Sequence, residues 1–321
     1  MDKIREKKLA LSFLNSVSTE DKIRILQTDI SWESLEVFLG KKGMELFVTQ
    51  LEWENNSTMG IEHGHIFYDE DDYPSSLKND PEAPYRLSYI GAKPKGTNGN
   101  YNRAESLTVV GTRRCTSEGI GNAFMFTSDA SSAGLVIYSG FADGIDKAAH
   151  YGAISQKSAS FAILASGFAH EAAYKQEKLQ ESILLCGGGL ISPFPCEEEP
   201  FKWNYYYRNR IMSSISDATV VVEAPEHSGA LITAHYAAEC GKDVFVLSPH
   251  INYSKTFLGN IKLIKEGGIE IKSYGTLCES YLQFPKGHIT IPIKREKIPY
   301  MKTSEDAKRI VAYNGTYYAV I

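Results

Sequence analysis

Leu107-Thr-Val-Val-Gly-Thr-Arg-Arg114 is a short apolar run that stops at a glycine and gives way to two arginines. An unbroken run of this kind ahead of a turn predicts a strand covered on both faces. The same order recurs at Val136-Ile-Tyr-Ser-Gly-Phe-Ala-Asp-Gly-Ile-Asp146 and at Val220-Val-Val-Glu-Ala-Pro-Glu-His-Ser-Gly-Ala-Leu-Ile-Thr233. In each, a buried-strand pattern ends at small residues and a helix pattern comes after it. Repeated strand–loop–helix units predict a parallel sheet whose carboxyl edge carries bare backbone N–H groups and helix N-termini. Anions bind at such an edge.

Strand patterns at 107–110, 135–138, 161–164, 190–191, 219–222 and 244–247 alternate with helix patterns at about 117–133, 145–156, 175–186, 203–215 and 230–240. This alternation predicts an α/β fold with a doubly wound, mostly parallel sheet. Upstream, residues 1–65 read as a helical domain. Ile4, Leu9, Leu11, Phe13 and Leu14 form an apolar stripe, Ser18 is a candidate N-cap, and a second start at Ser31 is closed by Gly40. The core is expected over 66–280. It opens with a connector of turn chemistry, laid on the core as extended segments, whose stretch from Gly96 to Asn102 reads as an exposed loop. A basic appendage occupies 281–321. In it Ile289–Lys294 alternates like an edge strand, Ser304–Val311 looks like a capped helix, and Asn314-Gly315 is a hairpin signal.

Of the 321 residues, 43% are hydrophobic and 23% charged, ordinary values for a globular protein. No apolar run is long enough to span a membrane, and the start of the chain is charged and amphipathic with no secretory core. The five cysteines are scattered without a Cys-x-x-Cys pair, which predicts reduced thiols, a cytoplasmic location and no zinc site. No cofactor is expected. The net charge of −5 does not announce a nucleic-acid partner. A polyanion would have to be met by a local cationic cluster within an acidic surface.

Gly111-Thr-Arg-Arg114 supplies such a cluster: Gly111 allows a sharp turn, Thr112 offers a hydroxyl, and Arg113 and Arg114 offer bidentate forks to phosphate. It lacks the G-x-G-x-x-G spacing of a dinucleotide site. Ser139 and Gly140 open a second loop whose amides could hold an anion. Behind them Asp146 and His150 share a helical face, either as a structural pair or as an acid/base or metal pair. Phe201–Arg210 interleaves aromatics with Lys202, Arg208 and Arg210, a combination suited to unpaired bases and their backbone. On the alternative reading, Trp203, Tyr206 and Tyr207 form a core face and Arg210 pairs with Glu223. Ser228 and Gly229 precede a third helix N-terminus, and Glu223 is a candidate general base without an accompanying nucleophile or metal cluster.

In order, these segments resemble the DprA/Smf family of bacterial DNA-processing proteins. The likeness runs from Tyr73-Pro74 through Val110-Gly-Thr-Arg-Arg114, Ser139-Gly-x-Ala-x-Gly-Ile-Asp-x-x-Ala-His150, Arg208-Asn-Arg-Ile211 and Ser228-Gly-x-Leu-Ile-Thr-Ala234 to Gly259-Asn-x-x-Leu-Ile264. It implies a Rossmann-like core behind a sterile-alpha-motif-like helical domain. It implies a protein of natural transformation and recombination that binds single-stranded DNA, loads RecA onto it, forms a homodimer, and catalyses no step. Its DNA-binding pocket maps to Gly111, Thr112, Arg113, Arg114, Ser139, Gly140, Lys202, Arg208, Arg210, Ser228 and Gly229. The chain departs from the family at Pro249-His250, at Tyr174-Lys175 and at Asp143, and its short tail can hardly accommodate in full the winged-helix domain in which many members end.

Two other functions compete. The core is also similar to that of LOG-type phosphoribohydrolases, which would make it a small-nucleotide hydrolase or sensor. Those enzymes carry a Pro-Gly-Gly-x-Gly-Thr-x-x-Glu loop where this chain has Ala224–Thr233. The third reading is an interaction scaffold with a vestigial pocket.

Overall fold

In the computed structural model, the described residues are 3–28, 30–55, 61–94, 104–170, 176–248, 254–281, 283–287, 290–293, 309–313 and 316–320. The expected loop at Gly96–Asn102, the Tyr174-Lys175 and Pro249-His250 departures, and the Asn314-Gly315 turn lie outside them.

The apolar runs form the parallel strands expected of them: β3 (Ser106–Val110), β4 (Val136–Ser139), β5 (Ser160–Ile163), β6 (Gly189–Ser192), β7 (Ala218–Val221) and β8 (Asp243–Leu247). The connector supplies two more strands, β1 (His63–Phe67) and β2 (Arg86–Gly91), and β9 (Ile269–Ile271) closes the far edge. The resulting nine-stranded sheet has the order β1-β2-β6-β5-β4-β3-β7-β8-β9. β1 pairs antiparallel with β2, and β2 pairs antiparallel with β6; the remaining neighbours are parallel. This is a mostly parallel, Rossmann-like α/β sheet with an antiparallel edge.

Strand alternation divides the core between the two faces. Leu107, Val109, Ile137, Val220 and Phe245 pack with α5 (Ser117–Ser132), α6 (Ile145–Ser155) and α11 (Tyr274–Ser280). Val110, Tyr138, Phe161, Val221 and Val246 pack with α8 (Lys202–Ile215) and α9 (Gly229–Glu239). The remaining core helices are α4 (Ser75–Lys78), α7 (Glu177–Leu185) and α10 (Leu258–Lys265). Chain direction sets the binding edge. β3 through β6 step one way across the sheet, whereas β7 returns to the other side of β3. The ends of β3 and β7 therefore bracket a topological switch point, where a crevice opens between diverging loops.

The N-terminal helices are α1 (Lys3–Leu11), α2 (Thr19–Gln27) and α3 (Trp32–Asn55). Ser18 caps α2 by accepting the Asp21 N–H. At Gly40 the chain leaves helical geometry (φ 60°, ψ −175°) and then continues as a second helical stretch. Leu9, Leu11, Phe13 and Leu14 are buried against Phe67 and Tyr85 of the sheet edge. Ile4, expected in the same stripe, is instead 56% exposed.

Beyond the core, β10 (Thr290–Ile293), β11 (Arg309–Tyr313) and β12 (Thr316–Val320) form an antiparallel sheet in the order β10-β12-β11. At the near end of the β11–β12 pair, Tyr313 pairs with Thr316. The helix expected over 304–311 is corrected at its end: Arg309–Val311 is strand, because it pairs with β12, and 304–308 lie outside the described residues.

Candidate nucleic-acid interface

The crevice at the switch point is a cavity of about 360 Å³ lined by Gly111–Arg114, Asp146, Tyr205, Arg208, His227, Ser228 and Gly229, among others. Its floor is fixed by Glu223 at the end of β7. The Glu223 carbonyl accepts the Thr112 N–H at 2.7 Å. Its carboxylate accepts both the N–H and the hydroxyl of Thr116, at 3.0 and 2.9 Å. Thr116 in turn caps α5 through the Gly119 N–H. The strand-end carboxylate thus fastens the whole β3–α5 loop, and the general-base reading of Glu223 gives way to a structural one.

Within that loop Thr112 is buried and its hydroxyl accepts the Arg114 N–H at 3.2 Å. Gly111 is needed for close approach: an added Cβ would stand 2.8 Å from the Glu223 carbonyl and 2.5 Å from Ile145. Arg113 and Arg114 are exposed and face the cavity. The Arg113 guanidinium lies 5.1 Å above the Tyr205 ring. Among the described residues, neither arginine has a carboxylate within ion-pair distance.

Arg208 differs from its sequence-based expectation. It is only 5% exposed and donates to the carbonyls of Gly140 and Ile163 and to the Asn209 side chain. A side chain at Gly140 would run into its guanidinium. Arg208 is therefore a buried strut that lends charge to the cavity wall, with burial lowering its pKa. Across Gly140 lies Asp146, whose carboxyl burial pushes up to about 6 against the opposing pull of Arg208 and backbone N–H groups of Ala142 and Gly111. His150 turns away from Asp146 to the Ser160 hydroxyl at 2.7 Å, and burial drops it to about 3. The two are not an acid/base pair.

Ser228 and Gly229 bring the N-terminus of α9 to the cavity, and Ser228 caps it by accepting the Ala230 N–H at 3.2 Å. An added Cβ at Gly229 would meet only Asn209, at 3.7 Å, so Gly229 faces open space. Gly140 lines a neighbouring cavity of about 410 Å³ that shares Arg113, Tyr205 and Arg208 with the first. Lys202 lines a larger groove of about 1080 Å³, which joins the first cavity through Tyr205, Asn209 and Ser228. Its ammonium sits 6.0 Å from the Tyr206 ring.

Two expected contacts fall outside this surface. Ser139 is fully buried and donates to the Val109 carbonyl at 2.6 Å, so it holds β4 to β3. Arg210 pairs with Asp80 at 2.7 Å and Glu82 at 3.3 Å, not with Glu223. Trp203, read alternatively as core, is 69% exposed. Tyr205, central to all three cavities, was not singled out by sequence, although its place three residues before Arg208 turns both toward the same side of α8.

Comparison with known proteins shows the family and the fold. The family model for DNA recombination-mediator protein A matches residues 64–281. DNA processing protein DprA of Bacillus subtilis is 35% identical over 208 residues, covering 64% of this chain and 67% of the relative. The structure of DNA processing protein A from Streptococcus pneumoniae superposes with a TM-score of 0.68 at 25% identity, covering 85% of this chain and 96% of the other. DNA processing protein A from Helicobacter pylori, a protein studied for its single-stranded DNA binding mode, shares the fold with a TM-score of 0.58 at 20% identity. That match covers 70% of this chain and 98% of the other.

Proposed function

The chain belongs to the DNA recombination-mediator protein A (DprA/Smf) family, and from that premise we propose that it holds single-stranded DNA across the switch-point crevice and delivers it to RecA. The observation that carries the proposal is the pair of exposed arginines, Arg113 and Arg114, with no carboxylate at ion-pair distance among the described residues, beside an aromatic ring and a helix N-terminus. Uncommitted guanidinium groups at such a site are matched by phosphate oxygens, and the adjacent tyrosine suits bases free of a duplex.

The protein acts by binding and not by catalysis. Glu223, the carboxylate at the end of β7, already accepts from Thr116. No helix among the described residues is long and apolar enough to cross a membrane, in keeping with work in the cytoplasm on incoming or recombining DNA. Self-association as a homodimer is part of the same reading, and the groove lined by Leu231, Leu263 and Ile269 offers apolar area for it.

Titration of a labelled oligo-dT strand at several salt concentrations, with duplex as competitor, tests the DNA step. Single strands should bind preferentially, and log affinity should fall with log salt by about 0.7 per phosphate contact. Affinity indifferent to salt, or equal for duplex, would count against it. RecA filament formation on the same strand, faster with the protein than without, tests delivery.

A further inference from the structure

Helix α3 of the N-terminal domain touches two loops of the core. Gln50 is fully buried, and its Oε1 accepts the Cys196 N–H at 2.8 Å. Three residues on, Trp53 stacks on Phe168, with ring centroids 5.4 Å apart and planes 13° from parallel. Cys196 lies in the loop from β6 to α8, and Phe168 in the loop that leaves β5. Residues three apart share one side of a helix, so a single stripe of α3 holds both loops.

The two loops are also joined to each other. The Gly167 N–H donates to the Glu198 carbonyl at 2.8 Å, and the Ala169 N–H donates to the Cys196 carbonyl at 2.7 Å. The path then runs into α8, where the buried Asn204 donates its Nδ2 to the Glu199 carbonyl at 2.9 Å and to the Glu198 carboxylate at 3.3 Å. Asn204 is followed directly by Tyr205. Leu164, Ala165, Ser166 and Pro200 of these loops line the 410 Å³ cavity together with Tyr205 and Arg208. A continuous chain of buried bonds and packed rings thus leads from α3 to one wall of the crevice. The opposite side is held independently, since the arginine loop is fastened by Glu223.

Resting on the DNA-binding reading above, we propose that Gln50 and Trp53 are positioning residues for the interface, through which the helical domain sets the wall that carries Tyr205. Neither touches the strand. Without the Gln50 acceptor, the Cys196 N–H is left buried and unsatisfied, and the paired loops shift to recover a partner. Linkage makes the effect reciprocal: a strand held at the wall tightens the loops against α3. Because the arginines are untouched, the brace governs affinity and leaves the salt dependence alone.

The test uses the full chain. Gln50→Met keeps the side-chain length and removes the acceptor, Trp53→Leu removes the ring, and Trp53→Phe restores one. Anisotropy titrations with oligo-dT at several salt concentrations are run where circular dichroism shows each protein fully folded. Gln50→Met and Trp53→Leu should bind about five- to tenfold more weakly, the scale of coupling between linked sites, with an unchanged salt slope. Trp53→Phe should recover most of the loss. In wild type, saturating oligo-dT should slow amide hydrogen exchange at Gly167, Ala169 and Cys196, a response that a merely structural contact does not give. Wild-type affinity in both disruptive variants, or Trp53→Phe as weak as Trp53→Leu, would overturn the proposal. So would exchange at these amides that ignores DNA, a result that needs no variant to fold. If the brace alone fails, wild type still binds single strands and Arg113→Ala/Arg114→Ala does not; a wild type that binds none overturns the DNA-binding reading and the brace with it.

Discussion

At the scale of single residues, the interface is a balance between two exposed cations and one buried acid. Arg113 and Arg114 present charge to solvent, whereas Asp146 lies buried just behind them and titrates near 6 because of burial. A raised carboxyl pKa means the folded protein holds the proton more tightly than the unfolded chain. The associated stability is complete below the ordinary value of 3.8 and is lost as pH rises through about 6. Deprotonation also sets a negative charge beside the cavity, so single-strand affinity should fall between about pH 5 and pH 7. Asp146→Asn should remove that part of the pH dependence and bind at neutral pH as wild type does in acid. Identical pH profiles for the two proteins would show that Asp146 is not coupled to the ligand. The arginines of the β3–α5 loop were legible from sequence because a glycine ending a strand places the next residues in an exposed turn. The burial of Arg208 was not, because it depends on the Gly140 and Ile163 carbonyls, brought to it by strands distant in the chain.

At the scale of elements, β7 controls a loop that belongs to β3. Glu223 is fully buried, and its carbonyl and carboxylate both hold the β3–α5 connection. Removing a carboxylate near a phosphate site should strengthen binding if charge alone mattered. A structural clamp gives the opposite sign. Glu223→Ala should destabilise the fold by roughly 1–3 kcal/mol through the unsatisfied Thr116 groups, and it should weaken DNA binding as the arginine loop loosens. Urea melts and anisotropy titrations on one preparation measure both; tighter binding in the variant would refute the clamp. The parallel strands could be read from sequence because strands buried on both faces are continuous apolar runs. β1 and β2 read only as extended segments of a connector, because the Asp- and Pro-rich turns between them break up the pattern. Their pairing with each other and with β6 is a tertiary fact that no local pattern specifies.

At the scale of the whole molecule, an acidic chain carries a small cationic crevice at the reversal point of its sheet, with units packed at both ends. The C-terminal strands dock through Asp129 of α5, which accepts the Thr290 N–H at 2.7 Å and which burial pushes up to about 7. The proton-linked stability at this joint is complete near pH 4 and is lost as pH rises through about 7, on the order of a few kcal/mol at most. Asp129→Asn should flatten the stability profile in that window, as read by urea melts across pH; an unchanged slope would place the titration elsewhere. With a net charge of −5, single strands must be met by a local cationic cluster such as the crevice. The most direct measurement is the salt dependence of single-strand affinity for wild type and for Arg113→Ala/Arg114→Ala. The variant should bind far more weakly, and its log–log slope should be shallower by about 1.4, or 0.7 for each lost phosphate contact. Equal affinity and equal slope would contradict the assignment of this crevice to the DNA backbone.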